Sequence, residues 1–262
     1  MAVKVAIILL ALCLPALADL AAGEQAILGG DYAMALKEFL PLAKQGNADA
    51  QMYIGEMYRE GQGVPQDYKE AVRWFRLAAD QANRSAQMYL GIMYQEGYGV
   101  PQDYTEAMRW ERLAAERGHP QAQYNVGLMY FDGQGVPQDY KEAMRWYRLA
   151  AEQGEAAAQF NAGVMYREGQ GVPQDYQEAL RWFRLAADQG HAGAQNNLGV
   201  MYGQGRGVPQ DYVQAHMWYN LAGANGNADG VKNREIVAGK MTPDQIAEAQ
   251  RLAREWKPKT NR

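Results

Sequence analysis

Carboxylates three residues apart recur down the chain as Asp67/Glu70, Asp103/Glu106, Asp139/Glu142 and Asp175/Glu178, and Asp211/Gln214 closes the series. Two carboxylates held this close could act as general acid and base, or bind a hard cation. A Gly-x-Gly pattern precedes each pair, as in Gly61-Gln62-Gly63, and loops of that type can cradle phosphate. The three histidines, His119, His191 and His216, stand in no H-E-x-x-H or other ligand spacing. Ser85, the one serine after residue 18, has no S-x-x-K context.

Repetition decides among these chemistries. From Ala50 the chain reads AQMYIGEMYREGQGVPQDYKEAVRWFRLAADQANRS, and the frame restarts after 36 residues at Ala86, Ala122, Ala158 and Ala194. A fixed period of this length is the signature of a solenoid whose units stack on their neighbours. Ala50, Ile54, Met57 and Tyr58 fall on one face of a helix, predicting helix A from near Ala50 to Glu60. Gly61, Gly97, Gly133, Gly169 and Gly205 stop it. Helix B then opens on Asp67, with Glu70 in the place that completes a capping box. Capping accounts for the carboxylates' type, spacing and repetition together, so no catalytic or metal-ligating residue is assigned. The Gly-x-Gly loops lack both the preceding strand and the third glycine of a nucleotide fingerprint.

Inside helix B, Tyr68, Ala71, Trp74, Phe75 and Ala78 make the buried stripe, and Gly118, Gly154, Gly190 and Gly226 end it, with Ala82 the exception. Helix A carries Gly55, Gly91, Gly127, Gly163 and Gly199 in its interior, each costing about 1 kcal/mol against alanine. Close approach of helix B offsets that cost, and Trp74, Trp110, Trp146, Trp182 and Trp218 are expected to fill the space beside them.

Both ends depart from the repeat. Residues 1–18, MAVKVAIILLALCLPALA, combine Lys4, an apolar run and an Ala16-Leu17-Ala18 cleavage site, so a signal peptide cut after Ala18 is expected. The run is short of the ~20 residues that span a bilayer, so stable membrane insertion after cleavage is not expected. Cys13, the single cysteine, leaves with it, which removes disulfides and thiolate chemistry. The expected organisation is a capping partial repeat over 19–49, five repeats over 50–85, 86–121, 122–157, 158–193 and 194–229, and a capping region over 230–262. There Thr242-Pro243-Asp244-Gln245 starts a helix whose stripe is Ile246, Ala249, Leu252, Ala253 and Trp256. The net charge of −4 gives no reason to expect nucleic acid as a partner.

The frame AxxxxGxMYxxGxGVPQDYxEAxxWxRLAAxxG resembles the Sel-one-like repeat (SLR) family of tetratricopeptide-like proteins. The resemblance implies an all-α fold, a right-handed α-α superhelix of helix-turn-helix repeats whose A helices line a concave groove. It also implies an adaptor that binds proteins or peptides; the residues themselves offer no catalytic or ligand constellation, so neither enzymatic activity nor a cofactor is expected. Exported members of the family act in the bacterial envelope or on hosts, so a periplasmic or secreted location is expected. A cysteine-rich subgroup linked to penicillin binding is not matched, because those cysteines are missing.

Positions that differ between repeats while facing solvent are where a partner would be read. The fourth position of helix A is Tyr53, Tyr89, Asn125, Asn161 and Asn197, a ladder of amides and phenols suited to a peptide backbone or a glycan. The eleventh, Glu60, Glu96, Asp132, Glu168 and Gln204, adds acidity favouring basic or amide-rich ligands. Position three, Met52, Met88, Tyr124, Phe160 and Asn196, is a second candidate row. Two roles fit the ladder: partner contact, or structural contact between adjacent A helices. The expected function is an exported scaffold for protein–protein interaction. A carbohydrate or peptidoglycan-fragment binder is the alternative, and an envelope hydrolase a third.

Overall fold

Short polar residues set the helix boundaries throughout the computed structural model, which describes residues 20–258. Among them every regular element is helical. In chain order these are α1 (20–28), α2 (Tyr32–Lys44), α3 (Ala48–Glu60), α4 (Tyr68–Asp80), α5 (Arg84–Glu96), α6 (Tyr104–Glu116) and α7 (Pro120–Asp132). Then follow α8 (Tyr140–Glu152), α9 (Ala156–Glu168), α10 (Tyr176–Asp188), α11 (Ala192–Gln204), α12 (Tyr212–Ala224), α13 (Ala228–Ala238) and α14 (Pro243–Glu255). The described residues form two compact units: unit 1 runs through Ala122 with Gln134–Val136, and unit 2 holds Gln123–Gly133 and everything from Pro137. The expected signal segment, residues 1–18, lies outside the described residues.

Each A helix begins two residues before the predicted alanine, because the cap lies further upstream. Asn47, Asn83, His191 and Asn227 accept a backbone N–H three residues on, at 2.8, 2.9, 3.2 and 2.7 Å. Each B helix is capped by the predicted aspartate, with Asp67 accepting from Lys69 and Glu70 at 2.9 and 3.0 Å. The reciprocal arm of the expected capping box is not used. The Asp67 N–H that Glu70 would accept from is already bonded to the Tyr58 carbonyl at 2.9 Å. Glu70 turns to Arg73 instead, and Glu178 likewise to Arg181. A full capping box does form at Thr242 and Gln245 of α14, where both arms close.

The helix-A glycines are packing sites, and the tryptophan assignment is corrected. A Cβ on Gly163 would lie 2.7 Å from the Phe183 ring, and on Gly55 2.6 Å from Phe75. The residue after each tryptophan therefore fills that space. Trp182 instead enters the core made by α8 and α9, among Ala150, Ala151, Ala158, Ala162 and Met165. It joins one repeat to the previous one, while Phe183 closes its own helix pair.

A buried polar ladder runs alongside. Gln51 and Gln159, nearly solvent-free, donate to the Ala43 and Ala151 carbonyls at 3.0 Å and accept from Gln81 and Gln189 at 2.8 Å. Each of these two glutamines ties its own A helix to the ends of the B helices on either side, whereas the oxygen of buried Gln87 has no such donor, because Arg117 stands where Gln81 and Gln189 stand. The loop motif is absorbed too: Gln174 donates to the Arg167 carbonyl at 2.7 Å, closing the end of α9. A Cβ on Gly171 would strike the Tyr140 carbonyl oxygen, so the loop glycine permits backbone to meet backbone.

Beyond Asn227 the repeat does not dissolve at Gly230 as the sequence suggested. The tetrapeptide Gly226-Asn227-Ala228-Asp229 repeats Gly46-Asn47-Ala48-Asp49, and α13 follows in helix-A register. Helix α14 then packs on α12, with Ala253 buried and Leu252 and Trp256 half-buried against Met217, Trp218 and Leu221.

Candidate partner-binding face

The predicted ladder residues are half-buried and hydrogen-bonded, and they differ in chemistry between the two units. In unit 1 the Tyr53 hydroxyl donates to Glu24 at 3.0 Å, and the Tyr89 hydroxyl donates to Glu56 at 2.9 Å. Each tyrosine thus reaches the preceding A helix while stacking on its own core, Tyr53 on Phe39 at 4.7 Å and Tyr89 on Phe75 at 4.9 Å. Burial first, then the glutamate beside each hydroxyl, pushes both phenols up to about 12. They therefore remain neutral donors across the physiological range. The Arg59 guanidinium lies 4.8 Å over the Tyr89 ring and pairs with Glu60 at 2.7 Å. Glu60 and Glu96 are exposed at the far end of the row. This face is rich in carboxylates.

In unit 2 the ladder is made of amides. Asn161 sits at the hydroxyls of Tyr124 and Tyr147, though the Tyr147 hydroxyl makes no hydrogen bond of standard geometry. Burial is the main reason both phenols titrate high. Asn197 accepts from Arg167 of the preceding A helix and donates to the Gly193 carbonyl at 2.8 Å. The inter-helix role foreseen as one alternative is thus present at Tyr53, Tyr89 and Asn197. Asn125 also has an interaction partner. Asp132 and Glu168 are exposed, and Glu168 pairs with Arg167 at 2.7 Å. Position three is mixed, since Met88 is buried and Phe160 half-buried, stacked on His191 at 4.7 Å.

Two features escaped the sequence reading. The amide row continues to Asn233 on α13, which donates to Asn196 at 3.0 Å. The signal was the returning Gly-Asn-Ala-Asp tetrapeptide, which sets the register. Beside that row, three residues further along each helix, lie Val164, Val200 and Ile236, the last 54% exposed. Amides next to a partly open apolar row can hold an extended backbone and bury its side chains.

No group of three or more potential metal-ligating side chains occurs among the described residues. Among them, too, no helix is long and apolar enough to cross a membrane.

Residues 48–83, 84–119, 120–155, 156–191 and 192–227 each match the profile of the Sel1 repeat. The chain belongs to the Sel1 repeat family. The profile keeps the 36-residue period in a frame two residues earlier than the alanine-to-alanine frame, beginning where the A helices begin. The crystal structure of a Sel1 repeat protein from Oxalobacter formigenes is similar at 30% identity and a TM-score of 0.77, covering 93% of this chain and 98% of that one. A protective antigen of uropathogenic Escherichia coli strains with an SLR fold, c5321, matches at 30% identity over 91% of this chain and 68% of that one, with a TM-score of 0.45. The immunity protein Pa5087 of Pseudomonas aeruginosa matches at 22% identity over 80% of this chain and 79% of that one, with a TM-score of 0.47. A search of curated proteins returns no match. Sel1 repeat proteins generally mediate protein–protein interactions, and the fold is generally a non-enzymatic scaffold.

Proposed function

We propose that the chain is an exported scaffold, without chemistry of its own, that receives a protein partner on the A-helix face of unit 2. The observation carrying this reading is the row Asn161, Asn197 and Asn233 beside Val164, Val200 and Ile236. It stays partly open on three successive A helices, while Ala158, Gly163 and Met165 and their matches Ala194, Gly199 and Met201 are buried behind it. The family's general role supports a protein as the occupant. A glycan is a poorer fit, because Val164, Val200 and Ile236 beside the amides are apolar and suit protein side chains better than sugar hydroxyls.

A photocrosslinking residue at position 161 or 200, introduced in cells, tests the contact. A discrete protein adduct that disappears when the probe is moved to exposed Asp244 supports the reading. An adduct carrying glycan transfers the row to carbohydrate binding, and absence of adducts at both positions rejects this face as the contact. Export is tested separately, by N-terminal sequencing of protein recovered outside the cytoplasm. A start at Asp19 agrees with cleavage after Ala18, whereas a chain beginning at the initiator end contradicts it.

A further inference from the structure

The B helices carry a second repeated surface, independent of the A-helix face. Three of them expose a leucine, with Leu77, Leu149 and Leu185 at 42%, 36% and 40% accessibility, and the matching Leu113 is half-buried. In unit 2 two of these leucines border cavities one repeat apart. One, of about 470 Å³, is lined by Leu180, Arg181, Arg184 and Leu185 of α10 and by Val208 of the following loop. The other, of about 440 Å³, is lined by the matching Met144, Arg145, Arg148, Leu149 and Val172.

One repeat further on, the chain displays what such a surface accepts. Leu221 of α12 matches Leu185 but is only 8% exposed, because α14 covers it. The positions of Arg181 and Arg184 are there Met217 and Asn220, and Met217 is 6% exposed. Helix α14 presents Leu252, Ala253 and Trp256 to this surface, with the Trp256 ring edge-on to Trp218 at 6.3 Å. An amphipathic helix is therefore a sterically suitable cover for the leucine row, and the chain already uses one.

We infer that the grooves at Leu149 and Leu185 are docking sites for an amphipathic helix of a partner protein, with α14's apolar pattern and carboxylates along its flanks. The carboxylates follow from what replaces Met217 and Asn220. A helix lying on α8 or α10 meets Arg145, Arg148, Arg181 and Arg184, with Lys141 at the edge. Arg145 and Arg181 pair with Glu142 and Glu178 at 3.0 Å, but these are solvent-exposed pairs one turn apart, which contribute little and exchange readily. Arg148 is in an exposed pair of the same kind with Glu152 at 3.8 Å, and Arg184 donates to the Tyr202 hydroxyl, a neutral partner, with Asp188 also on the wall of its cavity. Acidic flanks on the incoming helix would gain these guanidiniums, while its leucine-type side chains fill the cavities.

The test uses the whole chain from Asp19 and a labelled peptide with the sequence of residues 242–257 carrying Arg251→Glu and Arg254→Glu. Saturable binding is expected, weakened as sodium chloride is raised. The double variant Leu149→Asp/Leu185→Asp should reduce affinity by about tenfold or more. Both side chains are exposed, so its circular dichroism and melting should match the parent. Should that variant misfold, Arg148→Glu/Arg184→Glu must weaken the acidic peptide and strengthen a lysine-flanked version of it. A photoreactive peptide should label α8 and α10. Failure to saturate, equal affinity for parent and variants, or labelling confined to α12 through exchange with α14, would each overturn the proposal.

Discussion

Gly163 and Phe183 illustrate how one missing atom sets the spacing of a helix pair. The ring edge occupies the volume a Cβ would need at 2.7 Å, and it is a fully buried ring with nowhere to retreat. Gly163→Ala should therefore destabilise by roughly 1–3 kcal/mol, despite alanine's better helix propensity. Phe183→Leu should recover part of that loss, read as a coupling term in a urea-denaturation double-mutant cycle. Additive losses would mean that the two residues do not share the space. Ala82 poses the opposite case. It stands where Gly118, Gly154 and Gly190 end the other B helices, and it holds φ at +63°. Ala82→Gly should stabilise the chain, since the left-handed conformation costs alanine about 1 kcal/mol. A lower melting temperature for this variant would show that the side chain contributes packing that outweighs the strain. That a helix-A glycine needs a close neighbour was legible in the sequence. Which neighbour was not, because Trp182 and Phe183 are adjacent on α10 and only the rotation of that helix decides between them.

At the scale of an element, the capping residues link fold to solution conditions. His119 and His191 open α7 and α11 by accepting the N–H of Ala122 and Ala194 on Nδ1, at 3.3 and 3.2 Å. That role requires the neutral ring with its proton on Nε2. Burial lowers both pKa values, helped at His119 by nearby Arg84, while Glu155 acts in the raising sense at His191. Because the folded values lie below the unfolded value of about 6.5, the unfolded chain takes up protons first as the pH falls. This contribution to stability is complete above pH ~6.5 and is lost as the pH drops below it towards the folded values. Urea midpoints should therefore fall between pH 7 and pH 5. His119→Asn/His191→Asn should keep both caps and reduce that slope, leaving the share of buried His216, whose pKa burial also lowers, and an unchanged slope would place the proton uptake there or elsewhere. The aspartate caps of the B helices were readable from sequence because they act within one turn. The A-helix caps change type between Asn, His and Glu, which hides them from a comparison of repeats. Gln51 and Gln159 escaped for another reason: their partners lie 8 and 30 residues away on other helices.

At the scale of the whole molecule, the array must be closed where the repeat stops. In a stacked array each element is stabilised chiefly by its neighbours, so an uncovered terminal face both weakens its own unit and invites association. The sequence of α12 is adapted to being covered, with Met217 and Asn220 where α10 has Arg181 and Arg184. Removing residues 241–262 would uncover Met217 and Leu221, which are 6% and 8% exposed beneath α14, while Trp218 keeps its place in the core of α10 and α11. At about 1.5–3 kcal/mol for each large apolar side chain returned to water, a loss of several kcal/mol is expected. That loss should be local. Hydrogen exchange should show amides of α12 and α13 losing protection while those of α3 and α4 keep theirs, and the truncated chain should associate as concentration rises. Trp256→Ala should reproduce the exchange pattern in milder form, because it removes the edge-on contact with Trp218 and leaves the backbone of α14 in place. A truncated chain that stays monomeric with α12 fully protected would mean that α14 is a passenger on that surface. The leucine grooves one and two repeats earlier would then lose the internal precedent on which their helix-docking role rests.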